Sequence, residues 1–160
     1  MRLAIITNKP FMEIYKLINR IVFPTDFSIY SANAREYVME LAKSLGSKVY
    51  IIHAIEPIKY EEDDEEIQEF YKKIELEIEN KIENEKEYFI ENDITVYTDT
   101  IIGPSWKVIN TYAKEKDIDL IVMGSHGYKT ERDEIVIGTT SHKVVLTSPC
   151  PVLIVRNEKG

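Results

Sequence analysis

The 160-residue sequence has little cysteine and no long apolar run, and each shortage excludes a class of protein. Cys150 is the only cysteine, so a disulfide within the chain and a metal site of clustered thiolates are both excluded. No apolar run approaches about 18 residues, the length that predicts a membrane-spanning helix. The apolar stretch at residues 3–6 is too short for the core of a secretory signal. We therefore expect a cytoplasmic protein that does not bind membranes.

Basic residues are also in short supply, with 20 Lys and Arg against 28 Asp and Glu and a net charge of −8. This balance argues against non-specific binding of nucleic acid. Residues 61–93 alone hold 15 acids and 4 bases, which leaves 13 acids and 16 bases elsewhere. The acidity therefore belongs to one segment and leaves room for an anionic ligand on the rest of the chain.

Short apolar runs alternate with segments of helical periodicity along most of the sequence. The apolar runs lie at residues 21–23, 49–55, 94–101, 118–123 and 152–155, and the helical patterns lie at 30–45, 63–92, from 103 and from 139. Ser28 and Gly46 suit the two caps of the first of these helices. The alternation predicts one doubly wound α/β domain with a five-stranded parallel sheet and helices on both faces. It begins near residue 20, and the extension at 1–19 suits either a short helix or an interaction arm.

A glycine-rich stretch follows the fourth predicted strand and precedes a hydroxyl-rich helix start. Its candidate residues are Gly124, Gly127, Gly138, Thr139, Thr140 and Ser141. Glycines at a strand's carboxyl end let backbone N–H groups approach an anion, and hydroxyl groups add further donors. The same residues also suit turns and helix caps without any ligand. The spacing matches neither the Walker pattern nor the three-glycine dinucleotide pattern.

Two other strands end in residues that suit a nucleotide. Asp26 follows the first strand, where its carboxylate can either stabilise the start of a helix or accept hydrogen bonds from ribose hydroxyls or an exocyclic amine. Small Ala54 near the end of the second strand leaves space for a flat base. In doubly wound sheets such strand ends share one crevice at a switch point. His53, a lone histidine in an apolar strand, is interpreted as a hydrogen-bonded structural residue.

Several motifs in this order resemble the universal stress protein family. They are Pro24-Thr25-Asp26-Phe27-Ser28, His53-Ala54, Gly103-Pro104, Met123-Gly124-Ser125-His126-Gly127 and Gly138-Thr139. The resemblance covers about residues 20–156, and its glycines follow the order of the Gly-x2-Gly-x9-Gly-Ser/Thr pattern of the ATP-binding branch. It implies a Rossmann-like sheet of order 3-2-1-4-5, a nucleotide-binding domain over 20–160, and a homodimer through the last strand, Val152 to Val155.

The resemblance also implies the ligand, ATP or AMP, with Mg held mainly by phosphate oxygens. Asp26, in the loop with Pro24 and Thr25, would contact the adenosine. Ala54 would contact the adenine, and Met123 and Gly124 would lie near the ribose and base. The phosphate contacts would come from Gly127, Gly138, Thr139, Thr140 and Ser141.

One departure from the family pattern leaves the function open. Ten residues, Tyr128 to Ile137, separate the last two glycines where the pattern has nine. If the extra residue is absorbed in the loop, we expect a nucleotide-binding stress sensor or signalling module. If it displaces Gly138, we expect a nucleotide-free dimerisation module. We assign no catalytic residue and no metal ligand, and any enzymatic activity would be at most a slow ATPase.

Overall fold

The computed structural model describes residues 17–57, 65–126 and 137–156. Within them, the strands are β1 Arg20–Pro24, β2 Lys48–Ile55, β3 Val96–Ile102, β4 Leu120–Gly124 and β5 Val152–Val155. The helices are α1 Ile29–Leu45, α2 Glu65–Ile90, α3 Ser105–Glu115 and α4 Thr139–Thr147. All neighbouring strands are parallel, and the sheet order is β3-β2-β1-β4-β5, which confirms the predicted fold class. The predicted arm or helix at the N-terminus falls largely on residues 1–16, outside the described residues.

The core consists of two layers because helices cover both faces of the sheet. On one face, Ile21 and Phe23 of β1 pack among apolar residues of α1 and α2, such as Val38 and Phe89. On the other face, Val22 packs among apolar residues of α3 and α4. Successive side chains of a strand point to opposite faces, so a strand buried on both faces must be apolar throughout. This is why β1 and β4 appear in the sequence as continuous apolar runs.

The ends of α1 follow the predicted capping residues. The Ser28 hydroxyl accepts a hydrogen bond from the Ser31 N–H at 3.3 Å, and Gly46 ends the helix in the left-handed region with φ of 68°. Both predicted caps are confirmed. In contrast, α4 begins after Gly138, and no side chain in the described part of the chain caps it. The alternative in which Thr139 or Ser141 caps α4 is wrong, because the Ser141 hydroxyl donates instead to the Gly124 carbonyl at 3.0 Å.

Gly124 lies where the end of β4 meets the start of α1. A Cβ atom at this position would lie 2.8 Å from the backbone carbon and oxygen of Tyr30. Real Cβ contacts are longer than this, so the helix can approach the strand only because residue 124 has no side chain. Close packing of α1 on β4 is thus a structural reason for this glycine, independent of any ligand.

We predict that Gly124→Ala lowers the free energy of unfolding by about 1–3 kcal/mol, since the added methyl group forces the Tyr30 backbone to move. Urea denaturation measures the change. Gly46→Asn is the control, because a Cβ there meets nothing within 4 Å and asparagine tolerates the left-handed conformation. An unchanged unfolding midpoint in Gly124→Ala would contradict the close approach of helix and strand.

Candidate functional site

A cavity of about 110 Å³ lies at the carboxyl ends of β1, β2 and β4, on the side of the sheet covered by α3 and α4. Because β2 and β4 flank β1 on opposite sides, the chain leaves β1 at the switch point, where ligands bind in open α/β sheets. Eight of the predicted site residues line the cavity: Pro24, Thr25, Asp26, Ala54, Met123, Gly124, Thr140 and Ser141. The predicted crevice shared by three strand ends is therefore present.

The remaining predicted site residues have other positions. Gly138 and Thr139 are described but are not among the lining residues, and Gly127 lies outside the described residues. Further lining residues that sequence reasoning did not assign to the site are Ser31, Ile52, Ser105, Ile109 and His126. Ser105 had a usable signal, since it opens a helix after a predicted strand. Ser31 and Ile109 had none, because positions inside amphipathic helices predict only packing.

The inner wall of the cavity is apolar. Ile52, Ile109 and Met123 belong to the buried layer beneath α3 and α4, and Ala54 lies two residues after Ile52 on the same face of β2. The small side chain of Ala54 leaves the wall flat. Such a surface suits a planar apolar group, with specificity supplied by polar groups at the rim.

The loop that carries Asp26 is held by hydrogen bonds within itself and to β2. The Asp26 carboxylate accepts the Ser28 N–H at 3.1 Å, and the Thr25 hydroxyl accepts the Phe27 N–H at 3.1 Å. The Thr25 N–H donates to the Ile52 carbonyl at 2.9 Å. Asp26 therefore stabilises the turn before α1, which agrees with the interpretation that its carboxylate supports the start of this helix. Asp26 also lines the cavity.

His53 lies on the opposite face of β2 from Ala54 and contacts the same loop. Its Nδ1 is 2.8 Å from the Thr25 carbonyl oxygen, and its ring stacks on Phe27 with centroids 4.7 Å apart. The interpretation of His53 as a hydrogen-bonded structural residue is confirmed. Burial lowers the pKa of His53, and the Lys81 charge lowers it further, against opposing effects of the Thr25 carbonyl and Asp26. A carbonyl can only accept, so Nδ1 carries the proton.

Two helix starts near the cavity differ in how their backbone N–H groups are paired. At α3, the Glu56 carboxylate accepts two hydrogen bonds from Ser105, one from its backbone N–H at 2.9 Å and one from its hydroxyl group at 2.7 Å. At α4, no side chain of the described residues caps the helix, and the N–H groups of its first turn have no partner within the helix. The start of a helix also carries a partial positive charge. The α4 start, where Thr140 lines the cavity, can therefore receive an anion.

Gly138 has a fixed partner in the structure. Its N–H donates to the Ser125 carbonyl at 2.8 Å, which ties the beginning of α4 to the residue that follows β4. Any anion at this helix would therefore bind the N–H groups that come after Gly138. The backbone of Gly138 needs no positive φ, since its φ is −58°.

His126 forms part of the cavity wall. Its Nδ1 is 2.9 Å from the Ser125 hydroxyl, and its ring packs against Tyr30 with centroids 5.3 Å apart. Nε2 is buried and has no hydrogen-bond partner among the described residues. A buried polar atom without a partner is costly, so Nε2 is a candidate for a hydrogen bond with a ligand.

The described residues contain no group of three or more His, Cys, Asp or Glu side chains that could hold a metal ion. None of the described helices combines the length and apolar character needed to cross a membrane.

Comparison with known proteins places the chain in a family. The model of the Universal stress protein family matches residues 18–156. The universal stress protein YxiE of Bacillus subtilis is 35% identical over 153 residues, which cover 88% of this chain and 100% of that protein.

Solved structures share the fold. That of the protein MJ0577 has a TM-score of 0.77 and 29% identity, covering 90% of this chain and 99% of that chain. The universal stress protein from Archaeoglobus fulgidus in complex with dAMP has a TM-score of 0.62 and 19% identity, covering 86% and 96%. With the family motifs at the carboxyl edge of a 3-2-1-4-5 sheet and the family model matched over nearly the whole chain, this protein belongs to the universal stress protein family.

Proposed function

We propose that this protein binds ATP or AMP in the cavity at the ends of β1, β2 and β4, and acts in the stress response as a sensor or signalling module. The observation that carries the proposal is one cavity that joins an apolar wall, a carboxylate and an uncapped helix start. These three features match the base, the ribose and the phosphates of a nucleotide. The complex of an Archaeoglobus fulgidus universal stress protein with dAMP supports a nucleotide site on this fold.

The features of the cavity support one orientation of the nucleotide. The adenine lies against Ala54 and beside Ile52 and Met123, because this is the apolar wall. Asp26 accepts a hydrogen bond from a ribose hydroxyl. The phosphates lie at the α4 start, since Glu56 already occupies the α3 start with a negative charge.

The volume of the cavity suits a nucleotide that is enclosed only in part. Its 110 Å³ is smaller than the roughly 300–1,000 Å³ of pockets that enclose whole drug-sized ligands. The cavity therefore takes the base and part of the ribose, while the phosphates lie at the rim. Mg²⁺ would be held there mainly by phosphate oxygens and water, as is usual for this ion.

A second copy of the chain is the proposed partner. Among the described residues, β5 is an edge strand with β4 on one side only, and unpaired strand edges are templates for pairing with another chain. Beside it on α4, Val145 and Leu146 are 46% and 68% exposed. We expect Val152 to Val155 of two copies to pair, with these apolar side chains buried in the interface.

We predict that wild-type protein binds AMP and ATP in isothermal titration calorimetry and that Asp26→Asn weakens binding about 10- to 100-fold, the range for a hydrogen bond to a charged group. The amide oxygen of asparagine can still accept the Ser28 N–H, so the turn is retained. Glu91→Gln, which removes one negative charge at an exposed position on the turn after α2, is the control. Equal affinity in Asp26→Asn would refute the ribose contact.

Two further results decide the proposal itself. Ala54→Leu fills the apolar wall and should reduce the affinity for AMP more than tenfold, while retaining the cooperative unfolding of the wild type. If wild-type protein shows no saturable binding and releases no nucleotide when denatured, the proposal fails. The protein would then be a nucleotide-free dimerisation module.

We predict that Leu146→Glu converts the dimer to a monomer, since it places an unpaired charge in an apolar interface. Sedimentation velocity gives the mass. Leu76→Glu on α2 is a matched control because Leu76 is 61% exposed, close to the 68% of Leu146. A monomeric wild type, or a dimer that survives Leu146→Glu, would contradict the proposed interface.

A further inference from the structure

We propose that His53 is a positioning residue for the nucleotide site, acting through the loop of residues 24–28 that carries Asp26. This inference rests on the proposed function. His53 does not line the cavity, although its neighbours Ile52 and Ala54 do. Its side chain points to the opposite face of the sheet, so its influence on a bound nucleotide must pass through the loop.

The first argument is the backbone of Phe27. This residue has φ of 62°, a conformation that is rare for a bulky side chain and persists only where the surroundings hold it. The Phe27 ring stacks on the His53 imidazole with an interplanar angle of 27°. The Lys81 ammonium lies 5.5 Å from the centroid of the same ring. His53 and Lys81 thus hold the strained residue that follows Asp26.

The second argument is the anchoring of Thr25, the residue before Asp26. Two consecutive residues of β2 bind its backbone: the Ile52 carbonyl accepts the Thr25 N–H at 2.9 Å, and His53 Nδ1–H donates to the Thr25 carbonyl at 2.8 Å. Thr25 is 5% exposed, so water cannot readily replace His53 as donor. Asp26 is therefore flanked on both sides by residues that contact one imidazole.

The third argument concerns the state of the imidazole. The charged groups that act on it are Asp26 and Lys81, and burial is the largest influence and favours the neutral form. A neutral ring that donates from Nδ1 must keep Nε2 unprotonated. His53 is thus held in a single tautomer, which gives the proposal a spectroscopic signature.

Two variants of His53 separate the hydrogen bond from the ring stacking. His53→Phe keeps a ring against Phe27 and removes the donor, whereas His53→Asn retains a donor close to the position of Nδ1. Ile51→Val is the control, since it alters a buried residue on the same strand and the same face. With AMP as the probe in calorimetry, we expect affinity to fall about tenfold in His53→Phe, which lacks the donor, and by a smaller factor in His53→Asn, which lacks the ring. In Ile51→Val it should change by less than about threefold.

Wild-type affinity in His53→Phe would overturn the proposal. An equal loss of affinity in His53→Asn would also overturn it. So would a loss in Ile51→Val as large as in His53→Phe, because the loss in both variants would then follow from general destabilisation.

A measurement without nucleotide keeps this inference separate from the proposed function. In ligand-free wild-type protein, ¹⁵N NMR should show His53 protonated at Nδ1 and unprotonated at Nε2. The amide resonances of residues 25–28 should shift in His53→Phe and stay in place in Ile51→Val. An Nε2–H tautomer, or unmoved loop resonances, would overturn the positioning role. Absence of AMP binding in a wild type that shows these signals would refute the proposed function alone.

Discussion

The burial of β1 at the centre of the sheet is the constraint on which the rest of the structure depends. β1 pairs with β2 on one side and β4 on the other, and both of its faces are covered, so its backbone groups must be satisfied by its neighbours. The connection after β1 leads to β2 on one side, and the connection after β3 returns to β4 on the other side, so a crevice opens at the carboxyl end of β1. The chain reaches that crevice at Pro24. The residues that follow therefore line the cavity, as Thr25 and Asp26 do, or cap α1, as Ser28 does.

The two sides of the crevice at this end of the sheet differ in charge. The carboxylates of Asp26 and Glu56 lie on the side of β1 and β2, where Glu56 satisfies the start of α3. The start of α4 has no side-chain cap from any residue that the structure describes. A nucleotide carries its charge at one end only, so it gains most when its phosphates lie at α4 and its sugar lies near Asp26. One arrangement of charges thus supports both the proposed ligand class and the proposed orientation.

The site could be predicted from sequence wherever a residue follows an apolar run. Asp26 and Ala54 were found because strand ends are visible as changes in hydropathy. Ser31 and Ile109 were missed because they lie inside helices, where the apolar period predicts packing and nothing else. The hydrogen bond between the Gly138 N–H and the Ser125 carbonyl was also beyond prediction, since the two residues lie far apart in the sequence for a local pattern. The sequence showed a glycine there, and only the fold shows which partner its backbone has.

The succession of short apolar runs and segments of helical period determined the element order, the parallel sheet and the edge at which the cavity lies, because continuous apolar runs are typical of strands buried on both faces. The sequence by itself therefore predicted where the cavity lies. The tertiary structure decided how the site is held. The contacts of Glu56 with Ser105 and of His53 with Thr25 join residues 49 and 28 positions apart. No local pattern encodes such pairs, since their geometry exists only once helices and strands have packed.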